Sequence, residues 1–441
     1  MFRRLRHTPH MNDPWEDEAG LRWLFLDLNS YFASAEQHMR PELRGRPIIV
    51  APLLSEHTCA IAASIEAKKF GIRTGTGVRE ARRLCPDLEI VEARPDRYVE
   101  IHDRVMEVLE GFIPIEKVHS IDEAACRLSG PQRREKEAVH LAREIQYAIR
   151  ARVGACLRSS VGIAPSKLLA KIASGMQKPD GLTVLRQDRL PGPLLDLPLI
   201  KLTGIGRNME RRLGGHGVDS VAKFWALDPG AARRIWGGVG GERFWYALHG
   251  FDVPDVETQR RSISHGHVLG TSLRPVASAR DVMRRLTVKC GTRLRRMGYL
   301  ASRLGVSMEP ENDTAKPGWR RGKIFGERCF AHTADTFTLL KAADDIWAAA
   351  TVGLPRGTRL RYVGVVCSGL SATGAVQPDL FGWTPGMEDA ARSMRLFAAT
   401  DALNKRFGKD TVTIGPQTAM AKFVGAKIAF NRIPEKAEFQ E

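Results

Sequence analysis

The sequence predicts a multidomain α+β protein on three observations. The chain runs to 441 residues, longer than one hydrophobic core normally sustains, so several domains are expected. Over residues 21–188 short apolar runs ending in carboxylates alternate with amphipathic stretches, the pattern of a helix-covered sheet with a site at its strand ends. A Pro/Leu-rich connector, Pro191–Pro198, leads into purely helical spacing as far as residue 256, and a smaller α/β alternation follows over 263–370.

The elements follow in order. Residues 1–20 form a polar extension, basic then acidic, in which Met11 offers an alternative start to Met1. Leu21–Asp27 is a buried strand with a carboxylate at its exit, and Tyr31–Met39 is a helix that stops before Pro41. Residues 47–95 mix short strands such as Pro47–Val50 with helices such as Ile65–Phe70. Tyr98–Phe112 sets Ile101, Val105, Val108 and Leu109 at helical spacing. Val118–Glu123 reads as a second acid-bearing strand, Lys136–Val153 as an amphipathic helix and Ser159–Ile163 as a third strand. Residues 257–262 are polar and uncapped, as in an interdomain linker. The next helix puts Val282, Leu286, Cys290, Leu294 and Met297 on one face, with Arg284, Arg285, Arg293, Arg295 and Arg296 around the remainder. A Gly/Ser/Pro-bearing tail over 371–441 carries one helix, Glu388–Phe407.

Charge narrows the function. Sixty-seven Lys and Arg against 50 Asp and Glu leave +17, which favours a polyanionic partner, nucleic acid above all. Between Arg260 and Gly305 eleven basic residues face one acid, Asp281, so this tenth of the chain holds most of the surplus. No apolar stretch is long enough to span a membrane, and no apolar run follows the basic N-terminal residues as in a secretory signal. Seven cysteines lie far apart without a Cys-x-x-Cys pair, consistent with reduced thiols in a cytoplasmic protein.

Asp27, Asp122 and Glu123 are the candidate catalytic acids. Carboxylates at the ends of apolar strands are costly to desolvate unless a positive group sits among them. Mg²⁺ takes hard oxygen ligands and shares them with phosphates, and two such ions can bridge an attacking hydroxyl and a leaving phosphate.

Three strings give this pattern a family. Asp27-Leu-Asn-Ser-Tyr-Phe-Ala-Ser-Ala-Glu36, Ser120-Ile-Asp-Glu-Ala124 and Val161-Gly-Ile-Ala-Pro-Ser-Lys-Leu-Leu-Ala-Lys171 continuing to Lys178-Pro-Asp-Gly181 resemble, in order and separation, the motifs of Y-family (DinB/UmuC-type) translesion DNA polymerases. The resemblance covers about residues 21–425 and implies a right-hand polymerase. Residues 21–29 and 96–188 would be the palm, 30–95 the fingers, 189–256 a helix-hairpin-helix thumb and 263–370 the little finger. It implies that Asp27, Asp122 and Glu123 hold two Mg²⁺ ions, or Mn²⁺, with the Leu28 carbonyl as a further ligand. Phe32 would exclude a ribose 2′-hydroxyl, backbone amides of Tyr31 and Phe32 would meet the triphosphate, and Lys68 and Lys178 would contact its phosphates. The implied activity is template-directed DNA synthesis of low fidelity, in lesion bypass, DNA repair and the SOS response. Primer–template DNA and deoxynucleoside triphosphates are the implied partners, with a UmuD-type subunit or recombinase filament as further partners to test. The implied location is the bacterial cytoplasm, at the nucleoid when active.

Departures from the family pattern point toward the UmuC branch. Asn29 stands where DinB-type members usually carry Asp, and Ile65-Glu-Ala-Lys68 replaces a Tyr-Glu-Ala-Arg string. Lysine keeps the charge of arginine and loses its bidentate fork. Leu202-Thr-Gly204-Ile-Gly206 is a helix-hairpin-helix signature whose glycines let a turn approach a DNA backbone. The arginines of the 284–296 helix are candidate DNA contacts. Gln377-Pro-Asp-Leu380-Phe381 resembles the peptide by which bacterial polymerases dock on the sliding clamp. Two rival readings are a polymerase-shaped accessory protein without synthesis, and a helix-hairpin-helix nuclease or glycosylase.

Overall fold

A computed structural model describes residues 20–56, 58–256, 259–311, 323–375, 387–408, 411–414 and 433. The chain divides after Val256 into two compact units.

In chain order the first unit comprises β1 (Trp23–Leu28), α1 (Tyr31–Met39), β2 (Ile48–Ala51), β3 (Ala62–Ala63), α2 (Ile65–Lys69), α3 (Val78–Leu84), β4 (Glu89–Glu92), α4 (Pro95–Glu110), β5 (Ile115–Ser120), β6 (Glu123–Arg127), α5 (Glu135–Ala148), β7 (Ser159–Ala164), α6 (Lys167–Met176) and β8 (Leu182–Val184). The helices α7 (Arg207–Gly215), α8 (Val221–Trp225), α9 (Pro229–Trp236) and α10 (Val239–Leu248) complete it.

Five strands form the main sheet in the order β5-β6-β1-β7-β8, with β1 antiparallel to both neighbours. Side chains alternate across a strand, and β1 is buried on both faces. Leu24, Leu26 and Leu28 pack with Tyr98, Ile101, Val105 and Leu109 of α4 and Ile145 of α5. Trp23 and Phe25 pack with Leu169, Ala170 and Ile172 of α6 and with the helical residues beyond it. A strand covered on both sides reads as an unbroken apolar run. The approach of α6 to β7 requires Gly162, where a Cβ would lie 2.0 Å from the Ala170 carbonyl oxygen. A smaller sheet, β3-β2-β4, packs with α2 and α3 over its own core of Ile49, Ala67, Ile72, Val78 and Ala81.

Two sequence expectations are corrected here. Val118–Glu123 is not one strand: β5 ends at Ser120 and β6 begins at Glu123, so Asp122 lies in the connecting turn. The α-helix expected to reach Val153 ends at Ala148, and Ile149–Val153 forms a wider π-helical turn.

The second unit comprises β9 (Ser262–Val268), α11 (Val276–Arg296), β10 (Tyr299–Pro310), β11 (Ile324–Thr333), α12 (Thr336–Thr351), β12 (Leu360–Ser368), β13 (Ser371–Ala372) and α13 (Met387–Phe407). Its antiparallel sheet runs β11-β10-β12-β9, with β13 paired to β10. Leu304, Val306 and Met308 of β10 and Val363, Val365 and Cys367 of β12 meet Val282, Leu286, Cys290 and Leu294 of α11 in one core. All seven cysteines are thiols, four of them buried. Among the described residues no helix is long and apolar enough to cross a membrane.

Candidate active site

The antiparallel register sets the acids. Asp27 lies directly opposite Glu123 of β6 on one side and Ser160 of β7 on the other. The Leu28 N–H donates to the Asp122 carbonyl (2.8 Å), which ties the end of β1 to the acidic turn. The Ser120 hydroxyl donates to Asp122 Oδ1 (2.6 Å), and His102 Nδ1 on α4 donates to the Ile121 carbonyl (2.8 Å). The turn is thus fastened from both sides, and the three acids share one strand end.

Two lysines, Lys171 and Lys178, pair with the acids. Lys167 of α6 sits over the Trp23 ring (5.1 Å), and Lys171, four residues on, over the Phe25 ring (5.3 Å). Lys171 Nζ also donates to Glu123 Oε2 (2.5 Å). Lys178, in the loop after α6, lies 2.6 Å from Asp27 Oδ1. Burial pushes the Asp27 carboxyl up to about 6, against the pull of Lys178 and with the neighbouring Asp122 and Glu123 adding to the rise. Burial likewise raises Asp122, and Glu123 beside it adds to the rise. Among the described residues no three acid, histidine or cysteine side chains close around a common point. Instead, Asp27 and Glu123 each hold an ammonium group. The donor set still fits a divalent ion: hard carboxylate oxygens, partly desolvated, mutually repelling and already drawing positive charge.

Beside the acids the first strand turns sharply into α1 through Ser30, whose backbone is left-handed (φ 51°). Phe32 then stands half-buried with its ring stacked on Tyr98 of α4, the centroids 4.6 Å apart. The Tyr31 ring is buried instead, and its hydroxyl donates to the Tyr98 carbonyl (2.6 Å). Asn29 is 3% exposed, and its Oδ1 accepts from the Asp180 N–H (2.8 Å) and the Ser160 hydroxyl (3.2 Å). Lys68 of α2 is electrostatically linked to this cluster: burial lowers its pKa, Lys178 lowers it further, and Asp27 opposes both.

Further along, Gly204 takes a positive φ of 106° in the turn before α7, and Gly206 is the residue from which that helix starts. In the second unit the arginines of α11 differ in how the protein itself engages them. Arg295 is bound to Asp401 (2.7 and 3.0 Å), the Ala334 carbonyl and Thr336, with its side chain 8% exposed. Arg284 is paired with Asp344. A helix facing a core must place some of its cations against other elements, and sequence spacing does not reveal which. Gln377, Leu380 and Phe381 lie outside the described residues. Sequence reading also passed over Glu36, Arg94 and Tyr98 around Phe32. The available signal was a lone acid four residues after Phe32 on a helix otherwise rich in Ala and Ser.

Comparison with known proteins places this geometry. Residues 26–175 match the impB/mucB/samB family, and residues 260–380 match the impB/mucB/samB family C-terminal domain. The chain is 35% identical to DNA polymerase IV of Moorella thermoacetica over 88% of its own length and 94% of that relative's. It is 32% identical to DNA polymerase IV of Pelotomaculum thermopropionicum over 88% and 93% of the two chains. Among solved structures it is similar to the Y-family DNA polymerase chimera Dbh-Dpo4(243-245)-Dbh, with a TM-score of 0.66 and 22% identity over 80% of this chain and 99% of that one. The closer tie to the UmuC branch drawn from Asn29 and Ile65–Lys68 is not supported, because these relatives carry the name DNA polymerase IV. In this structure Asn29 serves as acceptor for the Asp180 N–H and the Ser160 hydroxyl. The two relatives match nearly from end to end, and the chain belongs to the Y family of DNA polymerases.

Proposed function

We propose that this polymerase adds deoxynucleotides to a primer by phosphoryl transfer at Asp27, Asp122 and Glu123, in translesion synthesis of low fidelity. The observation that carries this reading is the opposed pair Asp27 and Glu123 at one strand end, with Asp122 in the adjoining turn and two ammonium groups already drawn to the pair. Asp27, Asp122, Glu123 and the Leu28 carbonyl would hold two Mg²⁺ ions, or Mn²⁺. Bound there, the ions supply Lewis acidity to the primer hydroxyl and neutralise charge on the phosphates. The protein's own part is positioning and electrostatics. Lys178 and Lys68 draw the triphosphate, backbone amides of Tyr31 and Phe32 orient it, and the Phe32 ring bounds the sugar. The turn at Gly204 and Gly206 offers backbone N–H groups to a DNA phosphate without reading sequence.

The clamp peptide Gln377-Pro-Asp-Leu380-Phe381 would recruit the bacterial sliding clamp. A UmuD-type subunit or recombinase filament, and association with the nucleoid in the cytoplasm, belong to the same proposal. The silent-accessory reading is disfavoured because all three acids are present and gathered.

The test is single-nucleotide primer extension with Mg²⁺, comparing the native chain with Asp122→Ala/Glu123→Ala. Template-directed incorporation by the native chain alone is the expected result. Incorporation that survives in the variant would mean the chemistry lies elsewhere.

A further inference from the structure

We infer that Glu36, through Arg94 and Tyr98, is a positioning residue for sugar selection, an inference that rests on the reading of Phe32 as the wall against the ribose 2′-hydroxyl. Glu36 lies one helical turn after Phe32 on α1 and is 0% exposed. Both of its oxygens are engaged. Arg94 donates from Nε to Oε1 (3.0 Å) and from Nη2 to Oε2 (2.6 Å), and the Tyr98 hydroxyl donates to Oε1 (2.9 Å). Arg40 adds a longer contact to Oε2 (3.5 Å).

A fully buried carboxylate is a poor way to hold a helix down. Apolar residues of similar volume often serve stability as well or better. What the pair adds here is direction. Arg94 is the N-cap of α4 and Tyr98 lies in its first turn, and Glu36 gathers both. Tyr98 in turn carries the site. Its ring stacks on Phe32 at an interplanar angle of 18°, and its carbonyl receives the Tyr31 hydroxyl. The Phe32 ring has no polar atom with which to anchor itself. Its resistance to being pushed aside comes from the ring behind it, and that ring is held in place by its hydroxyl on Glu36. Selection by shape requires a wall that does not recoil, because a displacement of about an ångström at a reacting centre changes rates substantially.

The experiment measures kcat/KM for a deoxyribonucleoside triphosphate and for the ribonucleoside triphosphate of the same base, on the full chain with primer–template DNA. The variants are Glu36→Gln, Tyr98→Phe and, as reference, Phe32→Leu, each with its melting temperature. Tyr98→Phe keeps the stacked ring and the Glu36–Arg94 pair and removes only the tether. Glu36→Gln and Tyr98→Phe are expected each to lower the deoxy-to-ribo ratio by about tenfold, the scale on which small changes of pocket shape alter discrimination. A ratio that holds in both while Phe32→Leu lowers it overturns the inference and leaves the network as packing. Rates that fall together for both sugars, with the ratio held, overturn it equally. A ratio unmoved even in Phe32→Leu overturns the reading of Phe32 itself, and this inference with it. If Glu36→Gln does not fold, Tyr98→Phe decides alone.

Discussion

Asn29 Oδ1 accepts the backbone N–H of Asp180 at 2.8 Å, joining the end of the first strand to the loop that carries Lys178. The same oxygen takes the Ser160 hydroxyl, so one buried amide fastens β1, β7 and that loop together. Asn29→Ala leaves a backbone donor without its partner, at a cost of about 1–3 kcal/mol, and loosens Lys178. The expected outcome is a lower midpoint in urea unfolding together with a raised nucleotide KM. Asn29→Asp retains the acceptor and should keep most of the stability in the same titration.

Lys178 and Lys171 are separable. Lys178 is paired with Asp27 and, under the proposed function, would leave it for a phosphate, whereas Lys171 is held between Glu123 and the Phe25 ring. A charge-assisted hydrogen bond contributes about 1.5–3 kcal/mol, so Lys178→Met should raise the KM for the incoming nucleotide by about tenfold or more. Primer–template affinity, measured by fluorescence anisotropy, should be unchanged. Lys171→Met should act on kcat instead, through a misplaced Glu123.

The acidic limb of the pH profile follows from Asp27. Its carboxyl is held up at about 6, above its ordinary range. The folded state therefore binds this proton more readily than the unfolded chain. The ionised form burdens the fold above pH 6, and acidification toward pH 4 relieves that burden. Under the proposed function activity moves the opposite way, since protonation would remove a negative ligand. We expect kcat/KM at low Mg²⁺ to fall as pH drops through about 6, and the fall to shift to lower pH at high Mg²⁺. Rate–pH curves at two Mg²⁺ concentrations check both.

Arg295 is fastened into the second unit. Its guanidinium joins Asp401, Ala334 and Thr336 and lies over the Phe397 ring (5.0 Å). Breaking such a buried pair from one side costs about 3–5 kcal/mol, so Arg295→Met should lower the melting temperature markedly. The slope of log Kd for DNA against log salt should stay as in the native chain, because that slope counts phosphate contacts. Arg295→Met/Asp401→Leu should recover part of the lost stability.

Much of this was legible because the informative residues are local. Asp27, Phe32, Asp122 and Glu123 sit in short strings whose spacing survives any arrangement of the rest, and the apolar run ending at Asp27 declares a doubly covered strand. The turn at Asp122 was missed because Ile121 keeps the stretch apolar up to the acids and no glycine or proline marks the break. The contributions of Arg94, Tyr98 and Asp401 depend on partners 58, 62 and 106 residues away. Sequence pattern carries no signal of such pairings. Arginine spacing on α11 showed an amphipathic helix correctly, but which cation turns inward depends on an acid on another helix.

The lysine row on α6 meets β1 as one scale meets another. Two strand residues advance the chain by about 6.7 Å, and four helical residues by about 6 Å. Lys167 over Trp23 and Lys171 over Phe25 are therefore nearly commensurate, a match that holds for a rung or two before it drifts. Phase, more than composition, is the constraint on this helix. One residue inserted between the two lysines would rotate the second by about 100° and carry it off the strand, even with every side chain retained.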